Sequence, residues 1–293
     1  MSRLQRANRV PMLVVLCGTL AAAQVTFTTI NVPGAAATVV LGINSAGEMV
    51  GGYYQAQYLW HGFKLSGTTL TYFDYPGAQW TIPTGINNEG LIVGDYSPDS
   101  ISVHGFTYDG QIFTSIQHGS DSITNVSGIN NAGQIYGGTG NPEAKAGFVL
   151  TNGRFSLIEP PGKQNYTYAY VDGVGVGNIV GTIVLVTSDY AGFRYSGGKF
   201  TQLNYPGAAS TYVFGENGRG IAVGGYSSVH YGPESGFVTK SGKFAVLNYP
   251  NATWTECDGI NDSGQIVGLY IDAKGVTHGY VTSPIKQQDF KDK

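Results

Sequence analysis

Cysteine, positive charge and helical periodicity are all scarce in this chain, and each shortage excludes something. The 293 residues contain two cysteines, Cys17 and Cys257. Cys17 falls in a stretch with the marks of a cleaved leader, so the mature chain would keep one thiol and form no internal disulfide. Its stability must then rest on burial and backbone pairing. About 270 residues suffice for that, because such a chain buries roughly three quarters of its surface. Charged residues make up 12% of the sequence, 16 basic against 19 acidic. No basic stripe exists to track phosphates, so neither nucleic acid nor an anionic membrane surface is an expected partner. No segment sustains a 3.6-residue apolar period, which excludes helical solenoids. The signature loops of P-loop, EF-hand and Gly-x-Ser-x-Gly proteins are missing too, and neither cofactor nor metal is expected.

The leader itself is legible. Arg3, Arg6 and Arg9 form a basic start, Val10 to Leu20 an apolar segment, and Ala21-Ala22-Ala23 a small-residue cleavage site. A signal peptide is expected over 1–23, with cleavage before Gln24 and a secreted or periplasmic product. The apolar segment falls short of the ~20 residues of a membrane span, so no insertion is expected after its removal.

Glycine (44) and tyrosine (20) are abundant, and they are distributed in a repeat. Gly-Ile-Asn occurs at Gly42-Ile43-Asn44, Gly85-Ile86-Asn87, Gly128-Ile129-Asn130 and Gly259-Ile260-Asn261, with degenerate copies at Gly173-Val174 and Gly215-Glu216-Asn217. A period of roughly 42 to 45 residues signals a propeller, solenoid or array. Within the copy that starts near Thr81, four short strands are predicted. The first ends in Gly85-Ile86-Asn87, and Asn88-Glu89-Gly90 turns into Leu91–Tyr96. His104–Tyr108 follows, then Asp109-Gly110 turns into Ile112–Ile116. Four antiparallel strands per repeat describe a propeller blade. In-strand glycines at 51, 94, 137, 181, 224 and 268 recur in register, which predicts close approach of adjacent sheets.

The last copy stops after His278-Gly279-Tyr280 without its fourth strand. Val25–Ala35 supplies one, by analogy with Lys199–Ala208. An all-β, six-bladed β-propeller over 24–285 is therefore expected, closed by the N-terminal strand completing the last blade, with a polar tail at 286–293. Such closure removes an exposed strand edge. A monomer is expected.

The phrases Gly128–Gly137 and Gly259–Gly268, joined to the triplets His61-Gly62-Phe63, His104-Gly105-Phe106 and His278-Gly279-Tyr280, resemble the HAF-type extracellular repeat family of bacterial exported proteins. This chain has Gly where that family's triplet has Ala. The resemblance spans nearly the whole mature chain and implies architecture and export. It carries no catalytic residue set.

In a blade of this path the two tight hairpins lie on one face, and the variable loops lie with the Tyr-Pro-Gly corners on the other. Variable loops suit recognition. Aromatic planes with scattered carboxylates and amides are what sugar rings need, so a binding or scaffold module for carbohydrate or cell-surface polymer is the favoured function. Its candidate contacts are Trp60, Trp80, Tyr166, Tyr212, His230 and Trp254. The alternative is a polysaccharide-active hydrolase or lyase, which needs paired carboxylates or a partnered histidine. Its candidates are Asp95, His118, Glu143, Asp189, His230 and Glu256, with Asp99, Glu234 and Asp272 on the same face. His61, His104 and His278 read as strand-start residues bonded to nearby groups, and Cys257 as a buried small apolar side chain.

Overall fold

The computed structural model describes residues 25–55, 59–141, 144–175 and 177–285. Expectations placed on 1–24 and 286–293, including the leader, and that on Glu143, fall outside the described residues. Six antiparallel four-stranded sheets form a β-propeller. The first strand in the chain is β1 (Phe27–Ile30). Blade one follows as β2 (Ala37–Ile43), β3 (Met49–Tyr54), β4 (His61–Ser66) and β5 (Thr69–Phe73). Blade two is β6 (Trp80–Ile86), β7 (Ile92–Ser97), β8 (His104–Tyr108) and β9 (Phe113–Ile116). Blade three is β10 (Ile123–Ile129), β11 (Ile135–Asn141), β12 (Ala144–Thr151) and β13 (Arg154–Ile158). Blade four is β14 (Tyr166–Val174), β15 (Asn178–Leu185), β16 (Tyr190–Ser196) and β17 (Lys199–Gln202). Blade five is β18 (Ser210–Glu216), β19 (Ile221–Ser227), β20 (Ser235–Lys240) and β21 (Lys243–Val246). Blade six is β22 (Trp254–Ile260), β23 (Ile266–Ile271) and β24 (Thr277–Thr282), and its outer strand is β1, paired antiparallel with β24 from Phe27–Thr282 to Ile30–Gly279.

Each part of the repeated phrase has a mechanical task. The glycine of Gly-Ile-Asn lets neighbouring inner strands touch. A Cβ on Gly42 would lie 2.8 Å from the Cα of Gly85, and one on Gly85 3.0 Å from the Cα of Gly128. At the join of blade six to blade one, a Cβ on Gly259 would meet Leu41 O at 2.8 Å. The asparagine serves both its own hairpin and the next blade. Asn44 Oδ1 accepts from Ala46 and Glu48 N–H, while its Nδ2 donates to Asn87 O at 3.2 Å. Asn217 Nδ2 donates likewise to Asn261 O, and Asn261 Nδ2 to Asn44 O at 2.9 Å. Side-chain amides, each a two-donor group, thus pin blade to blade around the hairpin face.

The triplet glycine is a hole for a knob. A Cβ on Gly105, Gly192, Gly236 or Gly279 would run into Val126, Val213, Cys257 or Val40 of the following blade at 2.4 to 2.7 Å. Cys257 therefore does in blade six what valine does elsewhere. It is fully buried, and burial pushes its thiol up to about 12. The aromatic residue after that glycine (Phe63, Phe106, Phe148, Phe193, Phe237 and Tyr280) fills each blade's core. The corner tyrosines act between blades. Tyr75 on Tyr96, Tyr205 on Tyr226 and Tyr249 on Tyr270 stack with centroids 3.6 Å apart.

One expectation needs correcting. The in-register glycines of the second strands do not make room for an adjacent sheet. A Cβ at Gly51, Gly94, Gly137, Gly181, Gly224 or Gly268 would lie 1.9 to 2.2 Å from a carbonyl oxygen of the inner strand in the same sheet. In every blade the inner strand bulges next to that contact, as between Val40 and Gly42, and the bulge drives the two backbones together.

Candidate functional site in the central channel

The inner strands surround a channel, and strand alternation fixes what faces it. On β22, Thr255 and Cys257 are buried against blade five, so Trp254, Glu256 and Asp258 face the axis. Three positions per inner strand line the channel in this way, counted back five, three and one from the Gly-Ile-Asn glycine. Blade one supplies Ala37, Val39 and Leu41; blade two Trp80, Ile82 and Thr84; blade three Ile123, Asn125 and Ser127. Blade four supplies Tyr168, Tyr170 and Asp172; blade five Ser210, Tyr212 and Phe214; blade six Trp254, Glu256 and Asp258. Three blades present mainly aliphatic and small residues. The other three present aromatic rings and carboxylates.

A cavity of about 70 Å³ inside the channel is lined by Asp258, Phe214, Ser127, Thr84 and Leu41. It continues into a vestibule of about 450 Å³ on the hairpin face, floored by Ile43, Ile86, Ile129, Val174 and Ile260 and rimmed by Asn88, Asn131 and Asp262. On the loop face, blades four to six gather a second set of side chains around the channel mouth. Glu234 ends the β19–β20 loop, and its main-chain carbonyl accepts from Thr255 N–H at 3.1 Å. Its side chain lies over Gly225, next to Phe214. Trp254 Nε1 donates to Glu256 Oε1 at 2.5 Å. Tyr190 packs on Tyr212, with centroids 4.3 Å apart, and Tyr212 packs on Phe214.

Burial and mutual repulsion set the electrostatics of this wall. Desolvation, then the charge of Glu256, pushes Glu234 up to about 8. Desolvation followed by Glu256 and Glu234 holds Asp258 well above the usual carboxylate range, and desolvation raises Glu256 as well. Tyr212 is raised by burial and by Glu234. Glu234 Oε2 and Asp258 Oδ2 are buried with no hydrogen-bond partner among the described residues. Across the channel, burial pushes Asp172 up to about 7, opposed by hydrogen bonds that include Ser127 Oγ at 3.1 Å.

A further pair bridges the loops of blades four and five. His230 Nδ1 and Asp189 Oδ1 are 2.6 Å apart, and the bond from His230 lowers the Asp189 pKa. Beside it Tyr231 is 73% exposed, in the left-handed region with φ 53°, its ring 3.9 Å from that of His230. A bulky non-glycine residue held there is strained, and the strain turns an aromatic face to solvent.

The sequence-predicted residues divide accordingly. Tyr212, Trp254, Glu256, Asp189 and His230 come together over blades four to six. Asp95 does not join them. It is buried between blades two and three, where it accepts from Val126 N–H at 2.7 Å and Asn125 Nδ2 at 3.1 Å, and burial pushes it up to about 7. His118 occupies the place of a corner tyrosine, and its bond to Asp121 at 2.8 Å, with Asp121 bonded in turn to Thr139, replaces the tyrosine stack. Tyr166 is buried and donates to Pro160 O. Trp60 covers Gly52 and packs edge-on against Tyr54. Trp80 lines the channel on the aliphatic side. Asp99 and Asp272 close their own loops, Asp99 accepting from Ile101 and Ser102 N–H and Asp272 from Lys274 and Val276 N–H. His61 bonds Asp74, and His278 bonds Asn31 and Asp272. Among the described residues no group of His, Cys, Asp and Glu converges to hold a metal ion. Asp258 was missed, although Glu256-x-Asp258 on a strand places both carboxylates on one face.

Comparison with known proteins adds fold and stops there. No family model and no curated protein matches the sequence. Among solved structures, the chain is similar to a prolyl endopeptidase at 11% identity and TM-score 0.51, with 86% of this chain and 40% of that one covered. The chain thus spans less than half of that enzyme. It is similar to the β-propeller domain of the Trilobed protease from Pyrococcus furiosus at 9% identity and TM-score 0.51, covering 86% and 97%. A lectin from Aleuria aurantia, solved with α-methyl-L-fucoside, aligns at 9% identity and TM-score 0.48 over 83% and 90%. The P. furiosus domain has an open velcro topology, whereas here β1 pairs with β24. A shared fold does not fix an activity, so function must come from the site.

Proposed function

We propose that this chain is an exported glycan-binding module of the HAF-repeat type, with its site at the loop-face mouth over blades four to six. One observation carries the reading: aromatic rings and carboxylates are concentrated on three of six blades that share one backbone design. Trp254, Tyr212 and Tyr190 offer planes on which a sugar's apolar face can stack. Glu234, Glu256 and the His230–Asp189 pair offer acceptors and a switchable donor for hydroxyls, and Tyr231 extends the platform outward. The test is retention of the purified protein on a panel of soluble plant, fungal and bacterial polysaccharides, read by affinity electrophoresis. Retention that is lost in Tyr212→Ala supports the reading; a panel with no retention removes it.

One observation favours a second reading, a polysaccharide-active enzyme. Glu234, with its pKa near 8, would still carry its proton at neutral pH beside Glu256, and a carboxylic acid kept neutral next to a second carboxyl group is what general-acid cleavage requires. Overnight incubation with the same panel, followed by chromatography for low-mass products, separates the two. Products abolished by Glu234→Gln would establish the enzyme, and retention without products the binder.

A further inference from the structure

We propose that the sugar selected by this site is cationic, bearing a free amine whose ammonium is held along the acidic wall of Glu234, Glu256 and Asp258. The inference rests on the glycan reading above and adds the charge of the ligand. Two buried carboxylate oxygens, Glu234 Oε2 and Asp258 Oδ2, have no donor among the described residues. Buried polar atoms are almost always paired, and an orphan is costly to keep. Asp258 lines the deep channel cavity, and its orphan atom is buried in the wall of that cavity.

Among the described residues no side chain supplies the missing donor. Neither lysine nor arginine lines the deep cavity or the vestibule. Arg194 pairs through Nη2 with Glu216 at 2.5 Å. Tyr212 from β18 is an acid that faces Glu234 and Glu256, and the basic group over these blades, His230, is taken up by its bond to Asp189. A neutral hydroxyl could satisfy one oxygen but would leave the repulsion in place. An ammonium brings three donors and the opposite charge. The rings of Trp254 and Tyr212 at the mouth also favour a cation, through the negative faces of their π systems. The carboxylates lie at successive levels rather than around one point, and no metal-holding group is found among the described residues, which favours an extended organic cation over a bare ion.

The consequence is proton exchange. Carboxyl groups raised by burial hold protons in the empty site, and an arriving ammonium displaces them. Titration calorimetry of the purified protein at pH 6, in two buffers of different ionisation enthalpy, tests this with the glucosamine tetramer and its fully N-acetylated counterpart. The amine form should bind at least about tenfold more tightly, as a charge-assisted contact does, and should release protons. Glu234→Gln should remove the preference for the amine form and the proton release, with Asp258→Asn as an independent second variant. Equal or tighter binding of the acetylated tetramer overturns the inference and leaves the glycan reading standing. Binding of calcium chloride to the same carboxylates in place of the amine also overturns it. No binding of either tetramer overturns it as well, and the polysaccharide panel then decides whether the glycan reading falls with it.

Discussion

Blades one and five place one residue at the same backbone position, just before the third strand, and fill it differently. In blade one it is Trp60, whose ring covers Gly52 and reaches Ile82 of the next inner strand. In blade five it is Glu234, whose carboxylate covers Gly225 and reaches Phe214. The main chain does not distinguish them, since Trp60 O accepts from Thr81 N–H and Glu234 O from Thr255 N–H. Trp60 completes an apolar contact. Glu234 brings an unpaired carboxylate oxygen to a wall that already carries Glu256 and Asp258. A blade can be built without that charge, so the charge is not there to build the blade. The same contrast runs through the whole ring, between the uncharged channel-facing residues of blades one to three and the aromatic and acidic ones of blades four to six.

If architecture is shared and chemistry is not, substitutions in the repeated phrase should cost the same in both halves. The largest effect is expected at the second-strand glycines. Gly94→Ala and Gly224→Ala each drive a Cβ to about 2 Å from a carbonyl oxygen, and each should destabilise by about 3 kcal/mol or more. Urea unfolding of both variants checks this, and a tolerated substitution in one half alone breaks the comparison. Next come the interlocking asparagines. Asn44→Ala and Asn261→Ala strip the turn acceptor and the inter-blade donor together, at about 2–3 kcal/mol each by the same measurement.

The pH dependence should separate the halves. An acid whose pKa is raised on folding stabilises the protein below its unfolded value, and that stability is lost as pH rises through the folded value. Asp95, at about 7, represents blades one to three; Asp172 at about 7, Glu234 at about 8 and the raised Glu256 and Asp258 represent blades four to six. Stability should therefore fall between pH 5 and pH 8. Glu234→Gln should flatten that fall by on the order of 1 kcal/mol, measured as melting temperature against pH. An unchanged slope would mean that the acidic wall is not buried as described. The smallest effect belongs to Trp60→Ala, about 1 kcal/mol from lost packing, with glycan retention unaltered.

Most of the architecture was legible because repetition exposes it. Gly-Ile-Asn, Asp109-Gly110 and the His-Gly-Phe triplet marked strands and turns, and the copy split between residues 25–35 and 259–282 marked how the last blade is completed. The tasks of the glycines were only half legible: a sequence shows where a glycine recurs, while the atom it avoids depends on the bulge. The site was legible in fragments. Tyr212, His230, Asp189, Trp254 and Glu256 stood out, yet their convergence needed the ring, which sets His230 of blade five beside Asp189 of blade four. His118 broke the repeat and invited a catalytic reading, but Asp121 and Thr139 changed with it and rebuilt the corner. Asp95 looked like a loop-face carboxylate, and burial between blades gave its oxygens to Val126 and Asn125 instead.

The central claim is that the ring works on one side. It is tested most directly by comparing two double variants, Tyr212→Ala/Trp254→Ala and Trp60→Ala/Trp80→Ala, for retention on whichever polysaccharide retains the parent protein. The account predicts that the first pair abolishes retention while the second leaves it within about twofold. Loss of retention in the second pair, with the first pair binding as the parent does, would contradict it.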